Sequence, residues 1–201
     1  MKTKLLLLFA LVLFSCKKEW NKEIPSDDTS AISVKDVAFK VFDSHYIDND
    51  ALWKPFEKYW ESFTEQEYLE LKPYIIEQDI PTLQELIYAG KLSYEKLTLF
   101  YLYRIKKHDR MNELSLNSVI ALNSDVVEQA KEKDHQLKNR MRKHPIFGMP
   151  ILLKDNINTS GMPTTAGAIA MTGNTTSDAF IVTQLKQNGA LILGKTNLSE
   201  W

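Results

Sequence analysis

Gly148-Met-Pro-Ile-Leu-Leu-Lys-Asp155, GMPILLKD, sets a glycine and a proline ahead of three consecutive aliphatic residues and ends them in a charged pair. A short unbroken apolar run of this kind predicts a strand buried on both faces, as in parallel sheets. Asn156 to Gly173, dense in Thr, Gly and Asn, reads as a loop. Ser177 or Asp178 is placed to cap a helix carrying Ala179, Ile181, Val182 and Leu185, and Gly189 stands where a helix-ending glycine belongs. Ala190-Leu-Ile-Leu193 then forms a second buried strand, ending at Gly194. Strand, loop, helix and strand in that order make a βαβ-type unit, so this part of the chain is α/β.

The second strand lies inside Gly189-Ala-Leu-Ile-Leu-Gly-Lys-Thr196, which matches the phosphate-loop pattern G-x-x-x-x-G-K-[ST] letter for letter. In a phosphate loop the four variable residues turn their N–H groups toward a phosphate, after a strand and before a helix. Here those residues are Ala-Leu-Ile-Leu, whose N–H groups belong in a sheet ladder, and a helix precedes them. The match is accidental, and no nucleotide partner is expected.

Upstream, the pattern is helical. Val34, Val37, Ala38, Val41 and Phe42 make one apolar face from about Ser33. Ala51 to Ile76 carries Trp53, Phe56, Tyr59, Trp60, Phe63, Tyr68 and Tyr74, a stripe that reads as helix packing rather than a ligand platform. Asp79 before Ile80-Pro81 starts a helix that Gly90 ends. Ser93 caps a further one reaching about Lys107, apolar nearly all round and therefore expected to be buried. Another runs from Ser124 or Asp125 to about Lys138. Its charged continuation reads as a solvated face.

The chain begins with Lys2 and Lys4, followed by ten apolar residues from Leu5 to Phe14. Such a run is too short to span a membrane, which takes about 20 residues, and suits an export signal. Leu13-Phe14-Ser15-Cys16 resembles a bacterial lipoprotein signal, although Phe14 is bulkier than usual there. Cleavage after Ser15 and lipid on Cys16, the only cysteine, would anchor the protein to the cell envelope. An ordinary cleaved signal with an incidental cysteine is the other reading. Loss of residues 1–15 leaves 23 Lys and Arg against 26 Asp and Glu, a weak acidity that suggests no nucleic-acid partner. The histidines at 45, 108, 135 and 144 are far apart, so no metal site or cofactor is expected.

Lys154 is the residue of chemical interest, because an unpaired charge is costly to bury at the end of an aliphatic strand. It could snorkel to solvent or pair with an acid. It could instead be kept neutral by burial and act as a base. Asp155 is not its automatic partner, since consecutive strand residues face opposite ways.

Phe147 through Ala168, FGMPILLKDNINTSGMPTTAGA, followed by Ser177-Asp178-Ala179 and by Asn188 to Trp201, NGALILGKTNLSEW, resembles the first half of the amidase signature family. A weaker likeness reaches back to about Asp79, where DIPTLQELIYAGKLSYEKLTLFYLYRI and LNSVIALNSD resemble the family's N-terminal helices. The resemblance implies an α/β fold: helices followed by the first strands of a mixed sheet covered by helices, incomplete here. It implies a Ser–cis-Ser–Lys triad that hydrolyses amide C–N bonds, with Lys154 as its lysine and a small-molecule amide as substrate. The family's two serines lie in a Gly/Ser-rich segment downstream of the last strand, and neither Ser160 nor Ser199 stands in such a run. The chain ending at Trp201 is therefore expected to be an N-terminal fragment, inactive and poorly stable alone. The organisation expected is a signal peptide (1–15), a lipidated tether (16–32), a helical extension (33–76) and the N-terminal part of an amidase domain (77–201). The competing reading is a non-catalytic, membrane-anchored lipoprotein that serves as a binding module. A subunit for tRNA-dependent amidation belongs to the same family, but the export signal argues against it.

Overall fold

The computed structural model describes residues 48–110, 115–137 and 143–199, all within the unit Ser44–Trp201. The signal-type residues, Cys16, the tether and the helix expected from Ser33 lie outside the described residues. The helical part begins with α1 (Asn49–Trp53) and a 3₁₀ segment (Lys54–Tyr59), then α2 (Glu65–Ile75), α3 (Ile80–Tyr88) and α4 (Tyr94–Ile105). The first turns are closed by side chains. Thr64 accepts from the Glu67 N–H, Asp79 from Thr82 and Ser93 from Lys96, and the last two are the caps that the sequence suggests. Of the aromatic stripe, Trp53, Phe56, Tyr59, Phe63 and Tyr68 are buried, whereas Tyr74 is exposed. Tyr68 stacks on Phe100 of α4 with ring centroids 4.7 Å apart, so the stripe is core. Residues on both sides of position 76, from Trp53 to Leu193, share one apolar cluster.

The sheet has three strands, β1 (Val119–Leu122), β2 (Pro150–Lys154) and β3 (Leu191–Thr196), in the order β1-β3-β2. β3 runs parallel to β2 and antiparallel to β1. Two helices flank the strands in sequence, α5 (Val126–Leu137) and α6 (Phe180–Gln187). Leu191 and Leu193 of β3 belong to the large helical cluster. Ile192 belongs to a smaller one on the other side, with Leu153, Met162 and Val182. The central strand is thus covered on both faces, which is why Leu191, Ile192 and Leu193 are consecutive aliphatics rather than alternating with polar residues.

Four expectations need correction. LNSVIALNSD is not helical, because Val119–Leu122 is a strand. Its entry is fixed by Asp109, whose carboxylate accepts from the N–H groups of Ser118 and Val119 at 2.9 Å each, while Arg110 Nε donates to the Val119 carbonyl at 2.8 Å. β2 is not buried on both faces: it is the outer strand among those described, and Leu152 is 38% exposed. β3 does not end at Gly194 but continues through Lys195 and Thr196. Neither Ser177 nor Asp178 caps α6; the N-cap is Ala179, with no side-chain bond, because the Asp178 carboxylate is engaged elsewhere.

Several glycines are required by close approach, Gly189 and Gly194 among them. Gly189 has φ +85°, and a Cβ there would lie 2.3 Å from the Phe147 ring. A Cβ on Gly194 would lie 2.3 Å from the Ala121 carbonyl oxygen of β1. Gly194→Ala is therefore expected to cost about 1–3 kcal/mol. In a urea titration followed by hydrogen exchange, Val119–Leu122 should lose protection before α4 does. An unchanged midpoint would contradict so close an approach of β1.

Candidate active site

Two lysines stand near the ends of the parallel strands, and they differ in every respect. Lys154 closes β2 opposite Thr196 of β3, and its side chain is exposed. Lys195 is fully buried in β3. Asp155, 1% exposed, turns to the Lys195 side, with Oδ1 3.2 Å from the Lys195 amine. That amine also donates to the Ile157 carbonyl at 2.8 Å and to Thr164 Oγ1 at 3.2 Å. Lys195 has no face left for a substrate.

The local sequence explains how Lys195 arrives there. Along β2, Ile151, Leu153 and Asp155 share one face, and Ile151 and Leu153 pack into the smaller cluster. In the β2–β3 register Ile151 pairs with Ile192, but Leu152 pairs with Gly194, so Leu193 is skipped. This bulge shifts the alternation of β3 by one residue and sets Lys195 beside Leu153, on the Asp155 face. Lys154 is left on the opposite face with Leu152.

The loop after β2 is folded back by the same carboxylate. Asp155 Oδ2 accepts from the N–H of Thr165 at 3.0 Å and of Gly167 at 3.3 Å, and also from the Thr165 hydroxyl. The Asp155 carbonyl accepts from Ala166 N–H at 3.2 Å. Ala166 and Gly167 adopt positive φ, +50° and +76°, which turns the N–H groups of 165 to 167 toward Asp155, the outer two to its carboxylate and the middle one to its carbonyl. Asn197, just past β3, donates its N–H to the Ser118 carbonyl at 2.7 Å, and its Oδ1 would lie 2.9 Å from a Cβ at Gly167.

A second polar knot fastens the far end of this loop. Asp178 accepts from Ser160 N–H at 2.7 Å and Ser160 Oγ at 2.9 Å, and pairs with Lys186 at 2.8 Å. Ser160 is thus a loop anchor. Ser199 is exposed. Among the described residues no three His, Cys, Asp or Glu side chains come together as a metal site.

The structure places Lys154 at a strand end, as the sequence suggests, and of the two alternatives left open there its side chain takes the exposed one. Cys16 lies outside the described residues. Sequence reasoning missed Lys195, which it met only as the lysine of an accidental phosphate-loop match. The available signal was a lone lysine inside a run that otherwise reads as buried strand, with an unpartnered Asp155 after the neighbouring strand.

Burial works to raise the Asp178 carboxyl, but Lys186 and the Ser160 donors outweigh it and hold it down to about 2. An unfolded aspartate titrates near 3.9, so the native carboxylate contributes stability that is complete above about pH 4 and fades as the pH falls toward 2. Asp178→Asn is expected to lower the melting temperature at pH 7 and to converge with the wild type near pH 2. A gap that persists undiminished in acid would contradict the assignment.

The comparisons with known proteins follow the same segment. The family model described as Amidase matches residues 96–201. A glutamyl-tRNA(Gln) amidotransferase subunit from Exiguobacterium sibiricum is 33% identical over 128 residues, 63% of this chain and 25% of that protein. An amidase family protein from Bacillus anthracis shares 37% identity at a TM-score of 0.69, over 77% of this chain and 30% of that one. The native peptide amidase from Stenotrophomonas maltophilia shares 44% identity at a TM-score of 0.60, over 64% of this chain and 26% of that one. The chain therefore spans about a quarter of the length of the curated relatives it matches. With more than half its length matched by the family model and its helices and mixed sheet superposing on solved amidases, the chain belongs to the amidase signature family.

Proposed function

We propose that this chain carries the lysine arm of an amide hydrolase, with Lys154 as the base of a Ser–cis-Ser–Lys triad. The observation that carries the reading is the division of labour at the strand ends: Asp155 is sequestered on one face and Lys154 is left free on the other. A neutral Lys154 amine takes the proton of a bridging serine, which takes that of the nucleophilic serine as it attacks the amide carbonyl. Backbone N–H groups hold the oxyanion. The amine leaves with a proton, and water then attacks the acyl-enzyme and releases the acid.

Lys154 is exposed. The cover that such a base requires has to come from polypeptide or substrate packed over that face. The Gly/Ser-rich segment that would hold both serines is not among these 201 residues, so activity belongs to a product in which it follows β3. The relatives' names, a peptide amidase and a subunit of an amidotransferase, are consistent with amide chemistry and do not choose a substrate. The apolar N-terminal run and Cys16 support lipid anchoring to the cell envelope.

The second reading, a membrane-anchored module without catalysis, draws on the apolar N-terminal run and Cys16 for the anchor and on the solvent exposure of Lys154 against a base.

One preparation tests these readings. The native product is extracted from membranes, its intact mass is measured, and ammonia release from small carboxamides is assayed. The expected outcome is a lipidated product well above 23.2 kDa whose hydrolysis falls by about 10²–10⁴-fold in Lys154→Ala. A product near that mass without hydrolysis would sink the hydrolase reading and leave the anchored module.

A further inference from the structure

We infer that Lys195 and Asp155 form the positioning unit of this site, aiming Lys154 and folding residues 164–167 over the strand ends. The inference rests on the reading of Lys154 as the base, but its geometry is independent of that chemistry. Neither residue reaches a substrate: their side chains are 0% and 1% exposed.

Three segments meet at this pair. Asp155 N–H donates to the Thr196 carbonyl at 2.9 Å, which continues the parallel ladder one residue past Lys154. The Asp155 carboxylate gathers Thr165 and Gly167 N–H, and the Lys195 amine gathers the Ile157 carbonyl and Thr164 hydroxyl. Because Asp155 is held on the inner face, the alternation of β2 sends Lys154 outward. If Asp155 swung free, the last two residues of the strand could rotate and Lys154 would lose its direction.

Packing alone does not require an ion pair here. Leu153, Met162, Val182 and Ile192 already form an apolar cluster beside it, and replacement of a buried pair by apolar residues is often neutral for stability. An apolar replacement would, however, leave Thr165 N–H, Gly167 N–H and the Ile157 carbonyl without these partners. The pair therefore serves the geometry of the loop and strand end rather than the stability of the core.

The test is residue-resolved hydrogen exchange on the 201-residue chain, comparing Lys195→Met, Lys195→Arg and the double variant Asp155→Asn/Lys195→Met with wild type. Exchange at Asp155, Thr165 and Gly167 should rise by about 10- to 100-fold in Lys195→Met, the scale of one charge-assisted hydrogen bond. Amides of α4 should rise less than these. Lys195→Arg, which keeps the charge, should restore most of the protection. The double variant, which leaves no unpaired buried charge, should unfold closer to wild type than Lys195→Met does yet lose protection in the same segments, so it decides the matter if the single variant does not fold. In the longer active product, Lys195→Met should lower kcat with little change in KM. A uniform rise in exchange across helices and loop alike, or no rise at 155–167, would overturn the inference. If the loop loosens as stated but Lys154→Ala leaves hydrolysis intact, the base assignment falls and the positioning unit stands.

Discussion

The Asp155–Lys195 pair, two opposite charges 3.2 Å apart and almost wholly out of water, is the constraint on which the strand ends depend. Desolvating both groups is expensive, and their mutual attraction offsets that only when the remaining donors and acceptors are also matched. Here they are: the lysine has carbonyl and hydroxyl acceptors, and the carboxylate has two loop N–H groups and a hydroxyl. The network spans a strand end, a neighbouring strand and a loop, so it cannot form unless all three are in place. Removing one partner leaves the other buried and unmatched, the costly case among buried charges.

Everything else in the described structure brings these parts together. The aromatic helical layer buries one face of β3 through Leu191 and Leu193, and α6 with the 157–162 segment covers the other through Ile192. β1 closes one edge of β3 and is pinned by Asp109 and Arg110. The skipped Leu193 sets the face on which Lys195 emerges. A single bulge thus decides whether the buried lysine meets its acid.

Much of this was legible in the sequence, and the gaps have physical causes. The helix starts at Asp79 and Ser93 were readable because capping is a local interaction between a side chain and an N–H three residues on. The buried character of β3 was readable from its aliphatic run. β1 was not, because four residues give little periodicity and its conformation is set by tertiary bonds from Asp109. The cap expected from Asp178 failed for the same reason: its carboxylate finds Lys186 and Ser160, which sequence spacing does not bring together. The site was half legible. Lys154 stood out as a charge after aliphatics, whereas Lys195 reaches Asp155 only through a bulge that no one-dimensional pattern reveals.

The strand ends thus present one contrast, an exposed, outward Lys154 and a sequestered Lys195. It is tested most directly by brief acylation of the folded chain with an amine-selective reagent at neutral pH, followed by peptide mapping. The predicted result is modification at Lys154 under native conditions and at Lys195 only after unfolding. Modification of Lys195 at a rate comparable to Lys154 in the folded chain would contradict it.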